Sequence, residues 1–153
     1  MALHAQNKGK EGEREVARTL NSIILPLLEK HGLPTPERDI VQRNQNQSAV
    51  GGSDLSNTFG LCIEVKRQEA LSINTWWKQA VEAAKHNNET PVLIYRQNRK
   101  PWRVVTMGWL PLPAADGTWA STGARVEFDW DTFKEWFHHW VDRKLENGEK
   151  VRV

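Results

Sequence analysis

Six residues, LCIEVK at positions 61–66, restrict the possible folds of this chain more than any other stretch. Leu61, Ile63 and Val65 alternate with Cys62, Glu64 and Lys66, the two-residue period of a β-strand. A strand this apolar belongs inside a sheet, yet Glu64 and Lys66 share one of its faces. An isolated buried carboxylate costs several kcal/mol even after relaxation, a large share of the margin by which a small domain is stable. Glu64 therefore needs compensation. A salt bridge with Lys66 across a solvated face would supply it, and so would a bound cation.

The chain has 153 residues, 39% hydrophobic and 26% charged, enough for a single domain spanning 1–153 with its own core. No basic segment precedes a long apolar stretch, and the run IILPLL is broken by Pro26. A protein with no membrane partner and a cytoplasmic setting is expected. The lone Cys62 can form neither an internal disulfide nor a CxxC zinc site, which points to a reducing compartment. A net charge of +2 permits a nucleic-acid partner without demanding one. Lys8 and Lys10, however, stand in a first decapeptide without an acid. Eight tryptophans against one tyrosine suit core or interface filling.

Residues 9 to about 29 place Val16, Leu20, Ile23, Ile24, Leu27 and Leu28 at helical spacing, and Pro26 is expected to kink or shorten the last turn. Short strands are expected at DIVQR, 39–43, and around Asp54, with QRNQNQSAVGGS, 42–53, as a polar connection. A second helix fits 73–87, with Ile73, Trp77, Ala80, Val81 and Ala84 as its stripe and Asn87 and Asn88 closing it. PVLIYRQ and WRVVTMGWL predict two further strands about a turn at NRKP. LPLPAADGTWASTG, 110–123, reads as an irregular excursion. A last helix runs from about Asp131, its expected N-cap, to Leu145, with Phe133, Trp136, Phe137, Trp140 and Val141 on one side. The order αβββαββ plus a C-terminal helix defines an α/β (α+β) fold, a sheet flanked by helices.

At 100° per residue Glu13 falls within the apolar stripe of the first helix, whereas Glu11 and Glu15 fall opposite. An acid in a first turn also relieves the helix dipole, but Glu11 would serve that purpose as well. Gly9 and Gly12 lie near the same face and would let a bulky ligand approach. Glu13, Asp54 and Glu64, with Lys66 two residues beyond the last acid, are the groups that phosphodiester hydrolysis by a divalent metal requires. Carboxylate oxygens suit Mg²⁺, which activates water and stabilises transition-state charge. A neighbouring ammonium orients the water or neutralises the phosphate. Asp54 precedes Glu64 by ten residues, room for a hairpin that lays both acids at one end of a sheet.

GGSDL followed by EVK resembles the PD-(D/E)xK nuclease signature in a form without the proline, Asp54, Glu64 and Lys66 holding the motif positions. KGKEGEREVARTL is similar to the first helix of archaeal Holliday junction resolvases of the Hjc type, where Glu13 would be the further catalytic glutamate. PVLIYRQNRKPWRVVT, including Trp102, resembles their later strand pair, so the likeness covers about 8–106. It implies a restriction-endonuclease-like core followed by a C-terminal extension, 107–153. It also implies Mg²⁺ dependence with Mn²⁺ as a substitute, a homodimer, and four-way DNA junctions as substrate, with roles in DNA recombination and repair. The implied metal ligands are Asp54, Glu64, the Val65 carbonyl and Glu13, and Lys66 positions the water. The chain departs from the pattern in a longer connection to Asp54 and in residues 107–153, which have no counterpart. A nuclease of this fold acting on nicked, single-stranded or mismatched DNA is the alternative, as is a nonenzymatic DNA-binding module that keeps the acids as salt bridges.

Lys8, Lys10, Arg43, Gln45, Asn46, Gln47, Ser48 and Ser53 could contact phosphates, although such a loop is as often merely solvated. Gln79, on the second helix, sits where this nuclease fold can bring a polar side chain near the metal, or is an ordinary boundary residue. His138 and Asp142 have metal spacing on a helix of mixed charge, where such a pair is usually surface. Trp136, Phe137 and Trp140 read as core or dimer contact before a base-stacking platform.

Overall fold

The computed structural model describes residues 2–45 and 53–151. Helix α1 is Ala2–Lys30. Strands β1, Gln42–Arg43, and β2, Leu55–Ser56, form a small antiparallel pair. Strand β3 is Leu61–Arg67, followed by α2, Ile73–Asn87, and β4, Thr90–Arg96. Strands β5, Arg103–Pro113, and β6, Trp119–Asp129, precede α3, Trp130–Glu146. The main sheet has the order β3-β4-β5-β6. Helix α2 carries the chain between parallel β3 and β4, and the remaining pairs are antiparallel.

Both faces of the sheet are covered at β3, β4 and the first residues of β5. Leu61, Ile63 and Val65 pack with Val16, Leu20 and Ile24 of α1 and with Phe133 and Phe137 of α3. On the other face Cys62 meets Ala83 and Ala84 of α2, while Trp76 packs with Leu93, Tyr95 and Val105. Burial pushes the Cys62 thiol up to about 12 and leaves it unreactive. The buried side of α2 is thus centred on Trp76, with Trp77 only partly covered, a rotation of the stripe expected from sequence.

Several local expectations are corrected. Helix α1 continues through Pro26 to Lys30. Pro26 and the preceding turn at Ser22 face solvent, where water can satisfy the carbonyl that proline leaves unpaired. The first short strand is confined to Gln42–Arg43. Its approach is fixed by buried Asn21, whose amide donates to the Val41 carbonyl and accepts from the Val41 N–H, both at 2.9 Å. The 110–123 segment is a β-hairpin, not an irregular excursion, because β5 and β6 pair without interruption from Arg103↔Asp129 to Pro113↔Trp119. The order is therefore αβββαβββα. The N-cap of α3 is Asp129, accepting from the Thr132 N–H at 2.7 Å, whereas Asp131 pairs with Lys134. Asn88 closes α2 as expected, with a left-handed φ of 52°.

Candidate active site

The acids gather at the free edge of β3. The Asp54 N–H donates to the Ile63 carbonyl at 3.0 Å, and Asp54 Oδ2 accepts from the Val65 N–H at 2.7 Å. Residues 63 and 65 thus turn their backbone groups toward Asp54, and the Val65 carbonyl, on the same lateral side as its N–H, does too. Asp54 comes to this edge from β2, which pairs with β1 and not in a hairpin with β3. Asn57, Phe59 and Gly60 all take positive φ in the intervening turn. Asp54 and Glu64 are 8% and 7% exposed. Burial first, then the Asp54 charge and a hydrogen bond between the two carboxyls, push Glu64 up to about 8, against the pull of Lys66. A carboxyl raised by burial and by a neighbouring acid is a common feature of functional sites.

Glu13 approaches from α1. Its Oε2 accepts from Arg43 Nε at 2.6 Å, so Arg43 is engaged by an acid and not only turned toward solvent. Burial raises Glu13 above the ordinary glutamate range. The Arg43 hydrogen bond opposes this, and the charges of Asp54 and Lys66 both reach it. Among the described residues no group of three His, Cys, Asp or Glu side chains is arranged to hold one metal ion. The hydrogen-bonded pair is Asp54 and Glu64, while Glu13 lines the same cavity as Asp54 and is paired with Arg43. The donors meeting at β3, two carboxylates and a main-chain carbonyl, are all hard oxygens, and that set fits Mg²⁺ or Mn²⁺.

Helix α1 can bring Glu13 this close because Gly12 has no side chain. A Cβ there would lie 3.3 Å from the Trp102 ring, 3.4 Å from Arg67 Cβ and 3.6 Å from Val65 Cγ1. Gly12 therefore accommodates the sheet, and not a ligand as expected; Gly9 has nothing within 4 Å of such a Cβ. Glu15, partly exposed, is engaged as well. It accepts from Arg96 Nη2 at 2.8 Å and Trp102 Nε1 at 3.1 Å, with the Arg96 guanidinium 4.9 Å from the Trp102 ring centroid.

A cavity of ≈ 650 Å³ opens in front of these groups and is lined by Glu13, Asp54, Val65, Lys66, Lys8 and Arg67, among others. Lys8 pairs with Glu69 at 3.3 Å on its rim. Lys10 is exposed and outside the cavity lining, as is Gln79 on α2. Ser53 is 8% exposed, and its hydroxyl donates to the Leu55 carbonyl at 2.6 Å, turning it into the protein. Gln45 is exposed, whereas Asn46, Gln47 and Ser48 lie outside the described residues. His138 is exposed, and Asp142 instead engages Lys30 and His31. Trp136 and Trp140 are partly buried against the core beside buried Phe137. Arg67 was not anticipated. Its Nε is buried with no hydrogen-bond partner while the residue lines the cavity. Its position directly after the EVK run was the available signal.

A sheet with α1 and α3 on one face, α2 on the other, and an acid pair plus lysine at the β3 edge defines an endonuclease of the PD-(D/E)xK class. The family described as "Phage putative PDDEXK endonuclease" matches residues 4–112, and the chain belongs to it. The mixed sheet flanked by helices is the restriction-endonuclease-like fold expected above. Among solved structures, the chain is similar to Hjc of Archaeoglobus fulgidus, a Holliday junction resolvase from an archaeal hyperthermophile. They share 19% identity over 82% of this chain and 87% of that one, with a TM-score of 0.36. No curated protein matches the chain. No helix among the described residues is long and apolar enough to cross a membrane.

Proposed function

We propose that this endonuclease is a metal-dependent, structure-selective DNA nuclease, a Holliday junction resolvase that acts as a homodimer in the cytoplasm and nicks opposed strands of a four-way junction. The observation that carries the reading is the buried Asp54–Glu64 pair, whose Asp54 lines a cavity together with Lys66, Glu13 and Arg67. Asp54, Glu64 and the Val65 carbonyl would hold Mg²⁺, for which Mn²⁺ substitutes. Bound there, the ion supplies Lewis-acid stabilisation of the phosphoryl oxygens and a water of lowered pKa.

The chain's own groups supply the rest. The Lys66 ammonium positions the attacking water, and Glu13, fixed by Arg43, orients water from the α1 side. Arg67 offers its guanidinium to the phosphate, and Lys8 adds charge at the rim. Hydrolysis forms one bond from the water oxygen to phosphorus and breaks one phosphodiester P–O bond, the proton of the attacking water passing to a cavity carboxylate and the leaving sugar oxygen taking a proton from solvent water. A four-way junction presents two equivalent scissile phosphates, which suits a two-fold protein dimer.

The test is cleavage of a synthetic four-way junction and a linear duplex by wild type and Asp54→Asn, with and without Mg²⁺. Paired nicks in the junction alone, dependent on Mg²⁺ and Asp54, are expected. Equal cutting of both substrates would give the enzyme another DNA target. Binding without cleavage under any of these conditions would make it a nonenzymatic module.

A further inference from the structure

The β5–β6 hairpin outgrows the sheet that bears it. Strand β5 pairs with β4 only through Arg103–Thr106, so 107–113 and 119–125 form a two-stranded ribbon with no third strand. Among the described residues nine large hydrophobic side chains are exposed, and five of them stand on this ribbon: Met107, Trp109, Leu110, Leu112 and Trp119. An apolar two-stranded ribbon without a covering layer is marginal in water, and a patch of this kind marks an interaction surface.

Register assigns the faces. Val105 packs beneath α2 with Trp76, so Met107, Trp109, Pro111 and Pro113 share its side, together with Trp119, the pairing partner of Pro113. Trp109 lies across Gly123 opposite it, 3.3 Å from where a Cβ would stand. At the root of the same face is a groove of ≈ 550 Å³ between ribbon and α2, lined by Leu71, Ile73, Val105, Arg125 and Glu127, among others. Leu71 there is 42% exposed.

Charge indicates the occupant. From 107 to 124 the only ionisable residue is Asp116, and its carboxylate is engaged by the Thr118 N–H and hydroxyl in the hairpin turn. The one cation of the ribbon, Arg125, stands at its root and donates to Asn74 Oδ1 at 2.9 Å, so the outer ribbon, 107–124, has no cation to offer a phosphate backbone, whereas an identical ribbon presents the same uncharged apolar face. A two-fold axis makes that match self-complementary. Trp109↔Gly123 stands midway between the root pair Val105↔Glu127 and the tip pair Pro113↔Trp119. An antiparallel crossing centred on Trp109 therefore brings each tip to the other copy's root, about 26 Å away at ~3.3 Å per residue. Trp119 would then meet the groove at Leu71 and Arg125. Trp109 and Trp119 are 75% and 76% exposed. The two offer on the order of 300 Å², and with Met107, the prolines and the groove the face approaches the ~800 Å² per partner of a stable interface.

We propose that this ribbon is the dimerisation arm of the protein, its occupant the same ribbon of a second copy crossing it about a two-fold axis at Trp109. The proposal names the contact for the homodimer above and rests on that reading. Sedimentation velocity of the full chain across micromolar concentrations tests it. Wild type should be a dimer, and Trp109→Lys and Trp119→Lys should each weaken the dimer by about tenfold or more, with far-UV circular dichroism unchanged. A monomeric wild type, or a dimer intact in both folded variants, overturns it. Hydrogen exchange on wild type needs no variant: protection at 107–113, 119–125 and 71–74 should rise with protein concentration. Protection that appears only when DNA is added to a monomer also overturns it. Nicking of DNA is scored separately, so loss of the arm and loss of the nuclease reading remain distinguishable.

Discussion

At Asp54 the carboxylate that receives the Val65 N–H also faces Glu64, and this double duty makes the residue hard to replace. Asp54→Asn keeps the shape and an acceptor oxygen but removes the charge. Cleavage should fall by about a thousandfold or more, as when a group acting on transition-state charge is lost, while DNA affinity holds or rises. Single-turnover nicking beside equilibrium binding checks both. Glu64 makes a stability prediction with a definite sign. Its folded pKa is raised from 4.5 to about 8, so its contribution is complete below about 4.5 and is lost as pH rises through about 8. The Tm of metal-free wild type should fall across that window. In Glu64→Gln the fall should be flatter, Mg²⁺ should no longer restore Tm, and nicking should be absent.

At the scale of elements, the placement of α1 on β3 decides whether Glu13 reaches the site. Gly12→Ala gains about 1 kcal/mol of helix propensity but sets a methyl 3.3 Å from Trp102 and 3.4 Å from Arg67 Cβ. The two effects nearly cancel in stability. The displacement of α1 does not cancel in geometry, so Tm should change by only a few degrees while nicking drops about tenfold or more. At its other end α1 is joined to α3, since Lys30 and His31 reach Asp142 at 2.9 Å and 2.7 Å. Lys30 foremost, then His31, hold Asp142 down to about 2. That contribution is present above the ordinary value of 3.8 and is lost as pH falls through about 2. An acid titration of Tm should show this loss in wild type and a shallower limb in Asp142→Asn.

The whole molecule carries a net charge of only +2, so DNA must be held by local cations, with Lys8, Lys66 and Arg67 at the cavity. If several phosphates are neutralised there, affinity should fall by about an order of magnitude or more between low and physiological salt. A fluorescence anisotropy series against ionic strength measures the slope, and Lys8→Ala should reduce it by roughly one counterion.

Much of the architecture was legible because strands and helices announce themselves locally. The alternation at 61–66, the boundaries of α2 and its close at Asn88 depend on residues a few positions apart. The hairpin at 110–123 was not legible, since prolines and small residues mask its period and its pairing is read only across two strands. By itself the sequence determined that Glu64 would lie in an apolar strand and need a partner. Only the tertiary structure decided that a second acid, Asp54, lies against it, that Arg43 pairs with Glu13, that Gly12 faces Trp102, and that Ser53 and Gln79 stay out of the cavity. Periodicity assigns a side chain to a face, whereas which groups meet across the chain depends on how closely two packed elements can approach.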